Sequence, residues 1–198
     1  RLMVRFGASE RITDPAGTLR LDADFLNRGG FQSLAFDGRE ALAVEAGTTL
    51  APRLQLWQAT AASRFAPSGS RAANLFTAAP QTLTLSTPVN LSLGSSGYDA
   101  SHSQGTLSIA AGASISIDPT GRLDLSARNR LAVDGSLVAP GGQVSLGLRG
   151  GAGNAAIARS LWLGSSARID VAGLRQLQPT ADGLLTGRVL AGGSINLD

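Results

Sequence analysis

Between Gly105 and Leu146 the chain repeats a short pattern, in which two apolar residues flank one other residue and a small turn follows. Alternation with period two sends successive side chains to opposite faces of a strand. The aliphatic pairs should therefore point inward, and Asp124 should face water. Short strands at near-regular spacing predict an all-β solenoid of stacked strands. The repeats are Leu107-Ser-Ile109, Ile115-Ser-Ile117, Leu123-Asp-Leu125, Leu131-Ala-Val133 and Val144-Ser-Leu146.

The same pattern recurs on both sides of this region. Four segments break the rhythm, near 58–80, 94–104, 147–160 and 173–188, and we expect them to be loop excursions from the stacked strands. The outlying strands are predicted at Thr18-Leu-Arg-Leu-Asp22, 30–36, Leu42-Ala-Val44, Leu54-Gln-Leu56-Trp57, Leu83-Thr-Leu85, Leu91-Ser-Leu93, Leu161-Trp-Leu163, Ile169-Asp-Val171 and Ile195-Asn-Leu197.

Strands this short bury little area alone, and they gain stability when each pairs with the equivalent strand of the next coil, about 4.8 Å away. Connections between parallel strands are nearly always right-handed. The expected fold is therefore a right-handed parallel β-helix. An antiparallel sandwich or barrel is the alternative, but the turns largely lack the two-residue hairpin type.

Composition limits the function classes. The apolar fraction of 43% suffices for a core, although aromatics are only 5%. All 17 basic residues are arginine, the net charge is only +3, and there is no cysteine. The arginines are dispersed, often near an aspartate, which disfavours a nucleic-acid interface. No apolar stretch reaches the ~20 residues of a transmembrane helix. The arginine–aspartate neighbours are Arg20 and Asp22, Asp37 and Arg39, Arg122 and Asp124, and Arg168 and Asp170.

One phrase is typical of a known family. Gly135-Ser-Leu-Val-Ala-Pro-Gly-Gly-Gln-Val-Ser-Leu146 resembles the recurring coil sequence of filamentous haemagglutinin-type exoproteins. The segments 30–38 and 191–197 resemble further coils, and the likeness is clearest over residues 83–146. The family's Asn-Pro-Asn-Gly secretion motif is absent.

This resemblance implies a right-handed β-helical rod secreted across the outer membrane of a Gram-negative bacterium by a partner transporter barrel. It also implies a cell-surface location and a role in adhesion, with a host or bacterial receptor or glycan as partner. On this interpretation residues 1–198 are a single β-helix segment cut from a longer exoprotein. The exposed strand edges of such a segment predict end-to-end association or poor solubility.

Polysaccharide-cleaving enzymes also use β-helices, so pairs of carboxyl groups in this chain are candidate catalytic residues. Glycoside hydrolysis needs two facing carboxyl groups, and Asp118, Asp124 and Asp134 are the candidates if they stack on one face. Asp118 and Asp134 also open ordinary turns. His102 is the only histidine, in a serine-rich loop, and it supplies neither a triad nor a metal site.

Three other features have a structural explanation beside the functional one. Gly151-Ala-Gly153 is similar to a dinucleotide fingerprint but lacks the surrounding α/β alternation. Asn90-Leu-Ser92 fits a glycosylation triplet. Trp57, Phe76 and Trp162 are candidate edges of a binding patch, and Trp162 would equally fit the outer face of the rod.

We therefore expect a non-catalytic structural or adhesive segment, with no catalytic, cofactor-binding or metal-binding residues and no cofactor. The first alternative is a β-helical protein that binds or cleaves polysaccharides. The second is the stalk of a contact-dependent toxin delivery protein.

Overall fold

The computed structural model describes residues 3–7, 14–28, 30–54, 56–79, 88–97, 105–149, 159–180 and 182–198. These residues are mostly β-strand, with a few short helices. The strand expected at Leu83-Thr-Leu85 lies outside them. In chain order the elements are β1 (Met3–Phe6), β2 (Thr18–Leu21), α1 (Ala23–Asn27), β3 (Ser33–Asp37), β4 (Ala41–Val44), β5 (Thr49–Leu50), β6 (Leu56–Ala59), a 3-10 helix (Ala61–Phe65), α2 (Ala72–Leu75), β7 (Phe76–Ala79), β8 (Asn90–Ser95), β9 (Thr106–Ile109), β10 (Ser114–Ser116), β11 (Arg122–Ala127), β12 (Arg130–Val133), β13 (Ser136–Val138), β14 (Gln143–Leu148), β15 (Ser160–Leu163), β16 (Arg168–Asp170), β17 (Leu174–Pro179), β18 (Leu185–Leu190) and β19 (Ser194–Leu197).

Three parallel sheets contain most of these strands. Sheet A has the order β15-β12-β9-β4-β1-β2, sheet B the order β19-β14-β11-β8-β3, and sheet C the order β16-β13-β10-β5. Every strand pair within these sheets is parallel. In the described residues, antiparallel pairing occurs only in two hairpins, β6–β7 and β17–β18. The expected mostly-β fold with parallel pairing is confirmed.

From β3 onward the chain visits the sheets in a fixed sequence of B, A and C. We call one such set of three strands a round. The rounds are β3-β4-β5, β8-β9-β10, β11-β12-β13 and β14-β15-β16, after which β19 returns to sheet B. Each strand pairs with the strand one round earlier in the same sheet, so neighbours in space are distant in sequence.

The inward side chains of neighbouring strands lie in register and form one hydrophobic core. In sheet B, for example, Leu125 stands between Leu93 and Leu146, and all three are buried. Asp124 points the other way and is only partly buried. The inward orientation expected for the aliphatic pairs is therefore confirmed. Complete burial of one such side chain contributes about 1.5–3 kcal/mol.

Connections from sheet A to sheet C are short in every described round. Three of them close with the same backbone hydrogen bond, donated by Thr48 to Glu45, by Ala113 to Ala110 and by Ala167 to Gly164. Longer connections occur instead between sheets C and B, at 51–89 and 171–193, and between sheets B and A, at 96–105 and 149–159. The chain thus keeps one corner uniform and carries its insertions at the other two.

A column of glycines brings the C-to-B connections close together. A Cβ atom on Gly142 would lie 2.2 Å from the carbonyl oxygen of Gly121, and one on Gly193 would overlap Gly142 in the same way. The backbone stacks through these residues, because Gln143 donates to the Gly121 carbonyl and Ser194 to the Gly142 carbonyl, each at 2.9 Å. Only glycine permits this approach.

The beginning of the chain departs from the simple rounds. The strand β2 follows β1 in sequence but lies beyond it at the edge of sheet A, so β1 is held between β2 and β4. The short helix α1, which the sequence interpretation did not predict, comes next. Asp22 caps it by accepting a hydrogen bond from the Asp24 amide, and its Leu26 side chain is buried in the core.

The glycine column gives a stability prediction. Gly142→Ala should lower the free energy of unfolding by about 1–3 kcal/mol, because the added methyl group collides with backbone that cannot move without separating two rounds. Gly147→Ala, in the same round, is the matched control. Its Cβ would find its nearest neighbour at 3.8 Å, so it should change stability by less than about 0.5 kcal/mol. Urea unfolding followed by circular dichroism measures both, and equal stability of the two variants would contradict the packing described.

Candidate binding surfaces

The three candidate carboxylates do not share a face. Asp118 is buried in the turn between sheets C and B, Asp124 lies on the outer face of sheet B, and Asp134 follows β12 in the turn between sheets A and C. The stacking on one face that would make them candidates is not observed, because the residues fall at different phases of the round. The structure therefore does not bring them together as the facing pair that glycoside hydrolysis needs.

Two of the arginine–aspartate neighbours form ion pairs, one within β11 and one within β16. Arg122 lies 2.9 Å from Asp124, and Arg168 lies 2.9 Å from Asp170. The amide of Ala172 and the Arg168 guanidinium hold the pKa of Asp170 below its usual value. Residues two apart on a strand share a face, so these pairs follow from the alternation itself. Each pair neutralises charge on the outer surface.

Arg20 forms hydrogen bonds with two carboxylates that lie farther from it in the sequence than Asp22 does, namely Asp14 and Glu45. Its guanidinium makes two hydrogen bonds to Asp14, at 2.6 and 2.9 Å, and two to Glu45, at 3.0 and 3.1 Å. Arg5 lies 3.3 Å from Asp14 and 3.6 Å from Glu45. Two cations and two anions thus form a charge-balanced cluster at the β1–β2 end of sheet A, which indicates a structural role.

Two features considered from the sequence fall outside the described ranges. These are His102 and the glycine-rich run Gly151–Gly153. Among the described residues, no three histidine, aspartate or glutamate side chains are grouped closely enough to hold a metal ion.

Asn90, the candidate glycosylation residue, has a structural contact. Its side-chain oxygen accepts a 2.9 Å hydrogen bond from the backbone amide of Arg122, one round away. Trp162 pairs in register with Ala132 on the outer face of sheet A and is 59% exposed. The outward position considered for Trp162 is therefore the one observed.

The β6–β7 hairpin presents an aromatic face. Trp57 pairs with Ala78 and Phe76 pairs with Ala59, so both rings lie on one face in diagonally adjacent positions. Trp57 is 61% exposed and Phe76 41%. Phe65, in the 3-10 helix of the same connection, is 89% exposed and was not predicted from the sequence. Of the three candidate edges of a binding patch, Trp57 and Phe76 thus lie together on this hairpin, whereas Trp162 belongs to sheet A.

The β17–β18 hairpin carries an aliphatic face. Arg175 pairs with Val189 and Leu177 with Gly187, so Leu177, Leu185 and Val189 lie on one side of this two-stranded sheet. All three are exposed. The sequence interpretation treated 173–188 as an interruption and missed this pairing. Asp182-Gly183, flanked by apolar residues, is the hairpin signal that could have revealed it.

Both hairpins are inserted into connections of the same kind. Each lies between a strand of sheet C and the next strand of sheet B, in the first and the fourth round. The two rounds between them make this connection with the short turns around Pro119 and Pro140. The hairpins therefore belong to one edge of the stack, and their exposed apolar faces are candidate contact surfaces.

A shallow groove of about 310 Å³ crosses the outer face of sheet B. Its floor is made of small residues from three successive strands, among them Ala35, Ser92 and Ser126, and Asp37 and Arg149 stand at its edge. Asp37 accepts a 2.9 Å hydrogen bond from the Ser96 amide.

No family model, curated protein or solved structure matches the chain. In the described residues, no helix has the length and apolar character needed to cross a membrane.

The charged cluster gives a prediction about pH. Its two arginines, Arg20 first, lower the pKa of Asp14 from its ordinary 3.8. A carboxyl group with a lower pKa in the folded state stabilises the fold above the unfolded value, and this stabilisation disappears as pH falls through the lowered pKa. Asp14→Asn should therefore lower the melting temperature at pH 7. It should also reduce the difference between the melting temperatures measured at pH 7 and at about pH 3.

Asp182→Asn, in the exposed β17–β18 turn, is the matched control for thermal unfolding measured at both pH values. It should leave the pH dependence close to that of the parent chain. An Asp14→Asn variant with the parent's full loss of stability on acidification would contradict the assignment.

Proposed function

We propose that this chain is a right-handed parallel β-helix that serves as a non-catalytic structural and adhesive segment of a large bacterial surface exoprotein, of the filamentous haemagglutinin type. The observation that carries the proposal is the fixed B, A, C strand sequence with in-register parallel pairing between rounds. Each round is then one coil of the helix, with its aliphatic side chains stacked inside. Right-handedness follows from the strong preference of parallel connections.

A stack of this kind suits a scaffold. Its backbone hydrogen bonds run from coil to coil, so each coil is held by its neighbours and the array is stiff along its length. Loops on such a scaffold are the usual carriers of recognition. The two hairpins at the edge between sheets C and B then act as contact elements, displayed at fixed positions along the rod.

The family resemblance of residues 135–146 supports the cellular setting. On this proposal the exoprotein is secreted through an outer-membrane transporter barrel and remains at the bacterial surface. Its partner is a receptor or glycan on another cell. The exposed apolar faces of the hairpins are suited to such contact, because desolvation of aromatic and aliphatic side chains supplies most of the affinity of a typical interface.

Polysaccharide binding is the second candidate, and the β6–β7 hairpin favours it. Trp57 and Phe76 lie side by side with only Ala59 and Ala78 between and around them, which leaves the ring faces accessible. The separation of Asp118, Asp124 and Asp134 gives no comparable support to polysaccharide cleavage.

The adhesive role predicts that hairpin variants lose binding without losing stability. Trp57→Ala combined with Phe76→Ala should reduce adhesion of the purified chain to a panel of epithelial and bacterial cells by at least about tenfold, the loss typical of a binding hot spot. The melting temperature should change little, because both rings are exposed. Phe31→Ala removes a third exposed ring outside both hairpins and is the matched control.

The same variants tested on a glycan array distinguish a protein receptor from a polysaccharide. Adhesion that survives the Trp57 and Phe76 substitutions, and also survives Leu185→Ser with Val189→Ser in the second hairpin, would contradict the role given to the hairpins. Turnover of any polysaccharide by the parent chain would contradict the non-catalytic assignment.

A further inference from the structure

The net charge of the chain is concentrated in the connection that carries the first hairpin. Residues 51–89 contain three arginines, Arg53, Arg64 and Arg71, and no aspartate or glutamate. Their charge equals the net charge of +3 of the whole chain, because the other residues contain 14 arginines and 14 acidic residues. Arginines on the sheets, such as Arg122 and Arg168, lie beside a carboxylate. The first hairpin therefore carries positive charge that its own segment does not neutralise.

The strands β6 and β7 are joined by a compact tip that runs from Thr60 to Leu75. Its two ends are tied together, because the Thr60 amide and hydroxyl both donate to the Leu75 carbonyl, at 2.8 and 3.1 Å. Between them the 3-10 helix packs against α2. Arg64 and Phe65 are consecutive on the 3-10 helix, Arg71 directly precedes α2, and all three side chains are exposed. A tip that is already folded loses little entropy when it binds.

The aromatic face of the hairpin adjoins this tip. It consists of Trp57, Ala59, Phe76 and Ala78, which are all exposed, and the indole N–H is the only hydrogen-bonding group among these four side chains. At 89% exposure, Phe65 of the tip stands on a convex surface. A small-molecule or sugar ligand is usually oriented by several placed polar groups in a concave site. This surface offers apolar rings and positive charge instead.

A bilayer with anionic headgroups matches both properties. Tryptophan and phenylalanine rings gain free energy at the boundary between headgroups and acyl chains, where no complementary shape is needed. Arginine side chains place their apolar stems along that boundary and keep the guanidinium among the lipid phosphates. The negative surface potential of such a bilayer attracts basic residues. The hairpin backbone stays in the hydrated headgroup layer, because open strand edges do not enter the hydrocarbon region.

We propose that the β6–β7 hairpin docks on an anionic lipid surface through its tip and the adjoining aromatic face. Trp57 and Phe76 enter the headgroup layer, and Arg64 and Arg71 bind lipid phosphates. This inference goes beyond the adhesive role proposed above, whose partner is a receptor or glycan, because it assigns lipid to this hairpin. It depends on the charge and exposure of one hairpin and is independent of the family resemblance.

The fluorescence of Trp57 tests the docking directly. In a Trp162→Phe background Trp57 is the only tryptophan. On addition of vesicles made of equal parts phosphatidylserine and phosphatidylcholine, its emission should shift to shorter wavelength. Brominated acyl chains in the same vesicles should quench it, because the ring leaves water for the acyl-chain boundary. Vesicles of phosphatidylcholine alone should give a weaker shift, and added salt should release the chain from the anionic vesicles.

The arginine contribution is measured with two double variants. Arg64→Gln with Arg71→Gln should lower the partition coefficient on the anionic vesicles by about thirtyfold, since each arginine near such a surface strengthens binding by about fivefold. Arg175→Gln with Arg188→Gln is the matched control, because it removes the same charge from exposed positions of the β17–β18 hairpin. It should lower the partition coefficient by less than about threefold, since charges away from the contact act through a screened field. Circular dichroism checks that both variants remain folded.

Three results would each overturn the proposal: an unchanged Trp57 spectrum with anionic vesicles, equal binding to neutral and anionic vesicles, or an equal loss in the two double-arginine variants. Binding of polygalacturonate, an acidic polysaccharide, without binding to vesicles would overturn lipid as the partner. Cell adhesion that depends on Trp57 and Phe76, in a chain that does not bind vesicles, would contradict lipid docking and leave the adhesive role in place. Vesicle binding without adhesion to cells would support lipid docking and contradict the adhesive role.

Discussion

Burial of aliphatic side chains in register, from one round to the next, is the interaction on which the rest of this structure depends. The strands are too short to form stable pairs on their own, and several have only two or three residues. Each becomes stable because its inward residue is covered above and below by the same position of the neighbouring strands. Leu107, for example, lies between Leu42 and Leu131, and all three are fully buried. At about 1.5–3 kcal/mol for each side chain, these columns dominate the favourable terms.

The connections between the sheets differ in whether they stay short or carry insertions. The A-to-C turns stay short, and the glycine column of Gly121, Gly142 and Gly193 holds successive C-to-B connections at backbone contact. An insertion is tolerated wherever the strands on both sides still meet their neighbours, because loop length adds little closure entropy. The two hairpins therefore extend from a corner without disturbing the columns. This is how a repetitive interior supports surfaces that differ from round to round.

Much of the interior could be predicted from the sequence, because alternation with period two reports directly which side chains face a core. The repeats of residues 105–146 and the parallel pairing are examples. The order in which the first strands pair within sheet A could not be predicted. Alternation does not reveal that β2 lies beyond β1, nor that Asp14 and Glu45 meet on Arg20. The separation of Asp118, Asp124 and Asp134 could not be predicted for a related reason: spacing along the chain does not give the phase within a round. The β17–β18 hairpin was recognisable from Asp182-Gly183, but the surrounding glycines favoured a loop.

In-register stacking is tested most directly by cross-linking, since the chain has no cysteine of its own. Ser108 and Ala132 are register partners on the outer face of sheet A. Neighbouring strands lie about 4.8 Å apart, within the range that a disulfide spans. Mild oxidation of the Ser108→Cys, Ala132→Cys variant should therefore form an intramolecular disulfide, whereas Ser108→Cys with Ser145→Cys, on sheets A and B, should stay reduced. Failure of the first pair to link while the second pair links would contradict the stacked arrangement.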